Sequence, residues 1–173
     1  MGRHGVSALG RLYDLTATRL VRYAFTLTRN QADAEDALQA AMVQIALKPG
    51  SLARAEYPWP YFLKVVRNEA LTIVRVRRTR QLPPEFIPFD ERSMATSPFD
   101  DPEVGWRIRE AVDQLPPLQS EIVVLKIWEQ MTFAEMAAVL GESPNTVASR
   151  YRYALQKLSR DLRVCYEEVF YDR

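Results

Sequence analysis

An all-α fold in two small helical domains is predicted for this 173-residue chain, and three observations carry it. Apolar residues recur at helical spacing through both halves. Alternating strand patterns are absent. One stretch, Leu82 to Pro102, holds Pro83, Pro84, Pro88, Pro98 and Pro102, and proline neither donates a backbone bond nor continues a helix. The predicted domains are therefore residues 1–80 and 103–165, joined by a linker over 81–102 and followed by a tail over 166–173.

In the first half, Leu9, Leu12, Leu15, Leu20, Ala24 and Leu27 outline a first helix after a short arm that carries His4. Asn30 is placed to cap the second helix, with Asp33 in its electropositive first turn. That helix runs through Ala37, Leu38, Ala41, Met42, Ile45 and Leu47 and stops at Lys48-Pro49-Gly50. A loop leads to Tyr57-Pro58-Trp59-Pro60. A third helix starts at about Tyr61, with Phe62, Val65, Val66, Ala70 and Val74 on its apolar side. In the second half, Asp101-Pro102 opens a helix through Val104, Ile108, Ala111 and Val112, which ends at Leu115-Pro116-Pro117. The next contains Ile122, Val123, Leu125, Ile127 and Trp128.

Composition excludes several function classes. A hydrophobic share of 47% supports a packed core, and a net charge of +1 leaves the distribution of charge to decide what is bound. One cysteine (Cys165) and one histidine (His4) supply neither an internal disulfide nor a zinc site, and point to a reducing cytosol. No apolar run approaches the ~20 residues that span a bilayer. No nucleophile–base pair or phosphate-cradling glycine loop appears, so catalysis, metal and cofactor are not expected.

The most informative segment is residues 117–158. Thr132-Phe133-Ala134-Glu135 has the form of a capping box. Met136, Ala137 and Leu140 face a core, Gly141 suits a tight turn, and Ser143-Pro144 restarts the chain as cap and first helical residue. The final helix presents Asn145, Thr146, Ser149, Arg150 and Arg152, followed by Lys157. These side chains bond base edges or phosphates, and the major groove admits a helix. Val147, Tyr151, Ala154, Leu155 and Leu158 are expected to pack inward. A basic surface helix is by itself an ordinary solvated face; the capped helix and glycine turn before it favour DNA binding.

Leu115 to Leu158, above all Thr132–Ala137, Leu140-Gly141 and Thr146–Arg150, resembles region four of bacterial RNA polymerase sigma factors. Residues 9–80 resemble region two. Asp33-Ala34-Glu35-Asp36-Ala37-Leu38-Gln39 is similar to the stretch that grips the polymerase clamp. Tyr61 to Ala70 is similar to the helix that melts and reads the minus-ten element. The order of the two regions, and the lack of a middle one, resemble the extracytoplasmic-function branch. The chain departs from the family pattern at Ala40, Met42, Ala46 and Thr72, and again at Ala148, Tyr151 and Tyr153.

The resemblance implies polymerase binding by Asp33, Glu35, Asp36 and Gln39. It implies minus-thirty-five recognition by Asn145, Thr146, Ser149, Arg150, Arg152 and Lys157. For the minus-ten element the residues are Trp59, Tyr61, Lys64, Arg67, Asn68, Arg75, Arg77 and Arg78, where aromatics beside cations suit unpaired bases and their phosphates. Core packing is the competing reading for Tyr61 and Phe62, and anchoring of a loop for Trp59. Implied partners are core RNA polymerase, promoter DNA and an anti-sigma factor, without membrane insertion and in the cytoplasm. Two other readings stand beside this one. One is a helix-turn-helix regulator acting without polymerase; the other is a sigma-like protein that titrates an anti-sigma factor. The acidic linker residues Asp90, Glu91, Asp100 and Asp101 are either solvated or laid against a basic surface when DNA is absent.

Overall fold

A computed structural model describes residues 3–80 and 102–171, and side chains over 10–80 and 105–163. The predicted linker up to residue 101, its acidic residues and the side chain of Cys165 lie outside the described residues, while its last residue, Pro102, begins a helix. Among the latter every regular element is a helix: α1 (Arg3–Thr28), α2 (Gln31–Leu47), α3 (Pro49–Ala53), α4 (Pro58–Thr79), α5 (Pro102–Asp113), α6 (Pro117–Ile127), α7 (Phe133–Leu140) and α8 (Pro144–Tyr171). The chain forms two compact units, one built around α1, α2 and α4, the other around α5, α6 and α8.

In the first unit, α1 is apolar-patterned throughout, and among its described side chains the buried ones begin at Leu20. Leu20, Ala24 and Leu27 are core residues, whereas Leu12 is half-buried and Leu15 is 80% exposed. From Leu20 to Thr28 every residue is buried, including Arg22 and Tyr23, and α1 packs against both α2 and α4. Helix α1 starts at Arg3, so the predicted arm carrying His4 is helical. The Asn30 side chain caps α2 by accepting from the Asp33 amide at 3.0 Å, as expected. Ala37, Leu38, Ala41 and Ile45 are buried; Met42 is half-buried and Leu47 exposed, since the helix outruns its partners.

Two boundaries differ from expectation. Pro49-Gly50 ends α2 but also begins the short helix α3, because proline suits a first helical turn. By the same logic α4 starts at Pro58, ahead of Tyr61, and Trp59 and Pro60 belong to its first turn. Phe62, Leu63, Val65, Val66 and Ala70 form its buried face.

In the second unit, Val112, Leu115, Ile122, Val123, Leu125 and Trp128 pack with Met136, Val139, Val147, Ala154 and Leu158. Leu155, expected to face inward, is 37% exposed, because it lies to one side of the Val147–Ala154–Leu158 face. Helix α8 continues to Tyr171, so the backbone of the predicted tail is helical up to that residue.

Candidate nucleic-acid interface

Helices α7 and α8 form a helix-turn-helix whose ends are set by local chemistry. The Thr132 hydroxyl accepts from the Glu135 amide at 3.2 Å, and Glu135 Oε2 accepts from the Thr132 amide at 2.8 Å and the Thr132 hydroxyl at 2.8 Å. These bonds satisfy helix-start donors that would otherwise lack partners. They also hold the Glu135 carboxyl below its usual range: the Thr132 amide contributes most, then its hydroxyl, with Lys126 adding a weaker attraction. The Lys126 ammonium lies 5.0 Å from the Phe133 ring centre and donates to the Met131 carbonyl at 2.8 Å, which ties the end of α6 to the start of α7.

At the turn, Gly141 takes φ 71°, ψ 33°, the left-handed conformation that suits glycine. Its amide and that of Glu142 both donate to the Ala137 carbonyl, at 2.8 and 3.2 Å. Ser143 Oγ then accepts from the Thr146 amide at 3.1 Å and caps α8. Phe133 and Tyr151 pack at 5.9 Å between ring centres and fix how α8 leaves the turn. Burial pushes the Tyr151 phenol up.

At 3.6 residues per turn, Asn145, Ser149, Arg152 and Gln156 fall on one side of α8, opposite Val147, Ala154 and Leu158. Asn145, Thr146 and Arg152 are exposed, and Ser149 and Lys157 are half-buried. Arg152 also donates to Ser149 Oγ at 3.4 Å. Arg150 departs from the group: it lies toward one flank and its guanidinium pairs with Glu142 in the turn. Tyr153, 67% exposed, adjoins the same outward side and was not among the predicted contacts.

The predicted contacts on α4 divide between two sides of the helix. Lys64, Asn68, Thr72 and Arg75 recur at i, i+4, i+8 and i+11 and are all exposed, with Arg78 beside them. Tyr61 and Arg67 are half-buried at the margins. Trp59 and Arg77 lie on the far side. The Trp59 ring meets Phe62 edge-on at 6.1 Å, and the Arg19 guanidinium stands 4.6 Å from its centre. Arg77 forms an ion pair with Asp33.

On α2, Asp36, Gln39 and Val43 form an outward line directly opposite the buried Ala34, Ala37, Ala41 and Ile45. Glu35 is exposed at its edge and accepts from Gln31 at 2.9 Å. Asp33 lies at the other edge, toward α4. A second link, from the Gln44 amide to Glu69, joins the same two helices. Partner numbers fall from Arg77 to Glu69 as α2 advances from Asp33 to Gln44, so the two helices run antiparallel.

Sequence reasoning missed Arg19, Glu69, Glu142 and Tyr153. Arg19 and Glu69 meet partners 40 and 25 residues away, which no local pattern reveals. Glu142 was accessible: a carboxylate in the turn, eight residues before an arginine of the following helix, is a recognisable pairing.

The two units agree with comparison against known families. Residues 12–80 match the family model described as Sigma-70 region 2, and residues 106–168 match Sigma-70, region 4. An RNA polymerase sigma-E factor of Streptomyces avermitilis is 32% identical over 143 residues, covering 83% of this chain and 78% of that protein. The chain belongs to the sigma-70 family. Its relatives include proteins of the extracytoplasmic-function branch, among them ECF RNA polymerase sigma factor SigL of Mycobacterium tuberculosis, 29% identical over 163 residues and covering 88% of this chain and 87% of that one. This sigma factor belongs to that branch. The fold is shared with the sigma factor RpoE solved in complex with the anti-sigma factor NepR from Bartonella quintana. There the TM-score is 0.69 at 21% identity, covering 90% of this chain and 96% of that one.

Proposed function

We propose that this sigma factor divides promoter recognition between its units: α2 binds core RNA polymerase, α4 captures the opened minus-ten strand, and α8 reads the minus-thirty-five element. The observation that carries this reading is the order of the surfaces. A capped helix-turn-helix with an exposed polar face on α8 follows a unit whose α4 shows an uninterrupted outward line from Lys64 to Arg75. Both surfaces are polar and cationic, as phosphate neutralisation requires.

On α8, Asn145, Thr146, Ser149 and Arg152 meet bases and phosphates, with Lys157 on neighbouring phosphates and Tyr153 against a base edge. On α4, Lys64, Asn68, Arg75 and Arg78 follow the unpaired strand, with Tyr61 and Arg67 at its margins. Trp59 supports that strand from the first turn of α4, where Arg19 and Phe62 already hold its ring. Asp36 and Gln39, with Glu35 beside them, face the polymerase. None of these roles is catalytic; each is binding and orientation.

Two weak contacts on one chain reinforce each other, because the second becomes intramolecular once the first has formed. The predicted domains, residues 1–80 and 103–165 with a linker at 81–102 and a tail at 166–173, supply that arrangement. The chain works where polymerase and DNA are, in the cytoplasm, and among the described residues no helix is long and apolar enough to cross a membrane. An anti-sigma factor covers these surfaces when the promoters are silent; the capture of the similarly folded sigma factor RpoE with the anti-sigma factor NepR supports this part of the reading. The deciding experiment adds the protein to core RNA polymerase on genomic DNA and maps transcript 5′ ends. Start sites sharing upstream elements at fixed spacing are expected, and start sites no different from those of core polymerase alone would overturn the reading.

A further inference from the structure

Arg75, Arg77, Arg78 and Arg80 fall within six residues at the end of α4. Like charges that close on a helix repel one another. Arg75, Arg78 and Arg80 are exposed, where solvent and phosphates can screen them. Arg77 is not among them. It lies on the opposite side of α4 from the Lys64–Arg75 line, and its guanidinium is paired with Asp33 of α2, the two side chains being 23% and 19% exposed.

Asp33 is itself held in place. Its amide donates to the Asn30 side chain at 3.0 Å, and Asn30 is buried at the α1–α2 corner. The pair joins the first turn of α2 to the last turn of α4, so the acid stands at a positive helix end and the base at a negative one. The Gln44–Glu69 bond links the two helices again further along. Asp36 and Gln39, by contrast, point straight out from α2, away from α4.

We propose that Asp33 is a positioning residue for the strand-capturing helix and makes no contact with polymerase. Acting through Arg77, it fastens the last turn of α4 onto α2 and neutralises one of four crowded cations. The outward line of Asn68, Arg75 and Arg78 thereby stays on a helix that does not fray. The inference rests on the reading that α4 captures the opened strand.

The test rebuilds holoenzyme from core polymerase and the full chain, either wild type or carrying Asp33→Asn, Arg77→Gln, both together, or Asp33→Glu. Two quantities are measured: affinity for core polymerase, and affinity of the holoenzyme for a synthetic duplex with a permanently unpaired bubble at the minus-ten position. Asp33→Asn is expected to leave core affinity unchanged and to weaken bubble binding on the order of fivefold, as Arg77→Gln does. The double variant should be no weaker than either single one, because both remove the same contact. Asp33→Glu keeps the carboxylate and should restore much of the binding. Core affinity also reports on folding, since α2 and α4 share one core. Asp36→Ala shows what loss of a direct polymerase contact looks like.

Asp33→Asn lowering core affinity as Asp36→Ala does would make Asp33 a polymerase contact and overturn the proposal. Bubble binding that is unchanged or tighter in Asp33→Asn, or additive losses in the double variant, would overturn it as well. Failure of wild-type holoenzyme to hold the bubble would instead refute the strand-capturing role of α4, and this inference with it.

Discussion

Replacing Gly141 by alanine is expected to destabilise the second unit by about 1 kcal/mol. Gly141 sits at φ 71° between α7 and α8, and a Cβ built there meets nothing within 4 Å. No clash contributes, so the cost is that of the left-handed backbone, about 1–2 kcal/mol for a residue with a Cβ. Alanine also stiffens the unfolded chain, which offsets about 0.4–1 kcal/mol. For a domain of this size a loss of ~1 kcal/mol lowers Tm by about 4–8 °C. Urea unfolding followed by tryptophan fluorescence in a Trp59→Phe background measures it, because Trp106 and Trp128 then report on the second unit alone. Gly141→Asn should lose less, since asparagine tolerates this conformation. A loss above about 3 kcal/mol would mean that a hidden packing term had been overlooked. No loss, or asparagine no better than alanine, would refute the assignment of the cost to backbone conformation.

The α7 cap gives a pH-dependent prediction. The Glu135 carboxyl is held below its usual value, so its stabilisation is complete above the unfolded value of about 4.3 and fades as pH falls through the lowered folded value. Glu135→Gln should flatten the acid limb of the stability curve below about pH 5, and Thr132→Ala should cost ~1 kcal/mol at neutral pH; an unaltered acid limb in Glu135→Gln would rule out the cap as its source. Arg150→Ala should weaken duplex binding by about 1–3 kcal/mol if its guanidinium leaves Glu142 to read a base. Glu142→Gln, which frees that guanidinium before DNA arrives, should then tighten duplex binding, and no effect of either change would place Arg150 outside the interface. Asp36→Ala should reduce holoenzyme formation, measured by co-elution with core polymerase, while duplex binding by the isolated chain stays as it was.

Much of this protein is legible in one dimension because its signals are local. The Asn30 cap, the Thr132–Glu135 box, the Gly141 turn and the Ser143 cap each join residues no more than a helical turn or so apart, and all form as expected. Proline was read too simply. Pro49 and Pro58 end one stretch but also begin the next helix, and only the course of the backbone shows which. Arg29 and Gln130 take φ of 55° and 54° at helix ends, where the sequence shows no glycine to announce such a conformation.

The choice of functional residues on α4 and α8 shows where pattern reading stops. Lys64, Arg75, Arg77 and Arg78 look alike as a basic run, yet Arg77 turns away from the others toward Asp33. Arg150 and Arg152 are two residues apart, but only one is engaged by a carboxylate of the turn.

Helix type, helix ends and the kinship of both units were set by neighbouring residues in the chain, since capping bonds, helical propensity and apolar spacing act over a few positions. Which charges remain available to a partner was decided by the tertiary structure. An ion pair such as Asp33–Arg77 joins residues 44 positions apart, and it exists only because α2 and α4 pack antiparallel and bring those two side chains within reach. Periodicity places a side chain on one side of a helix, but only packing determines what stands opposite it.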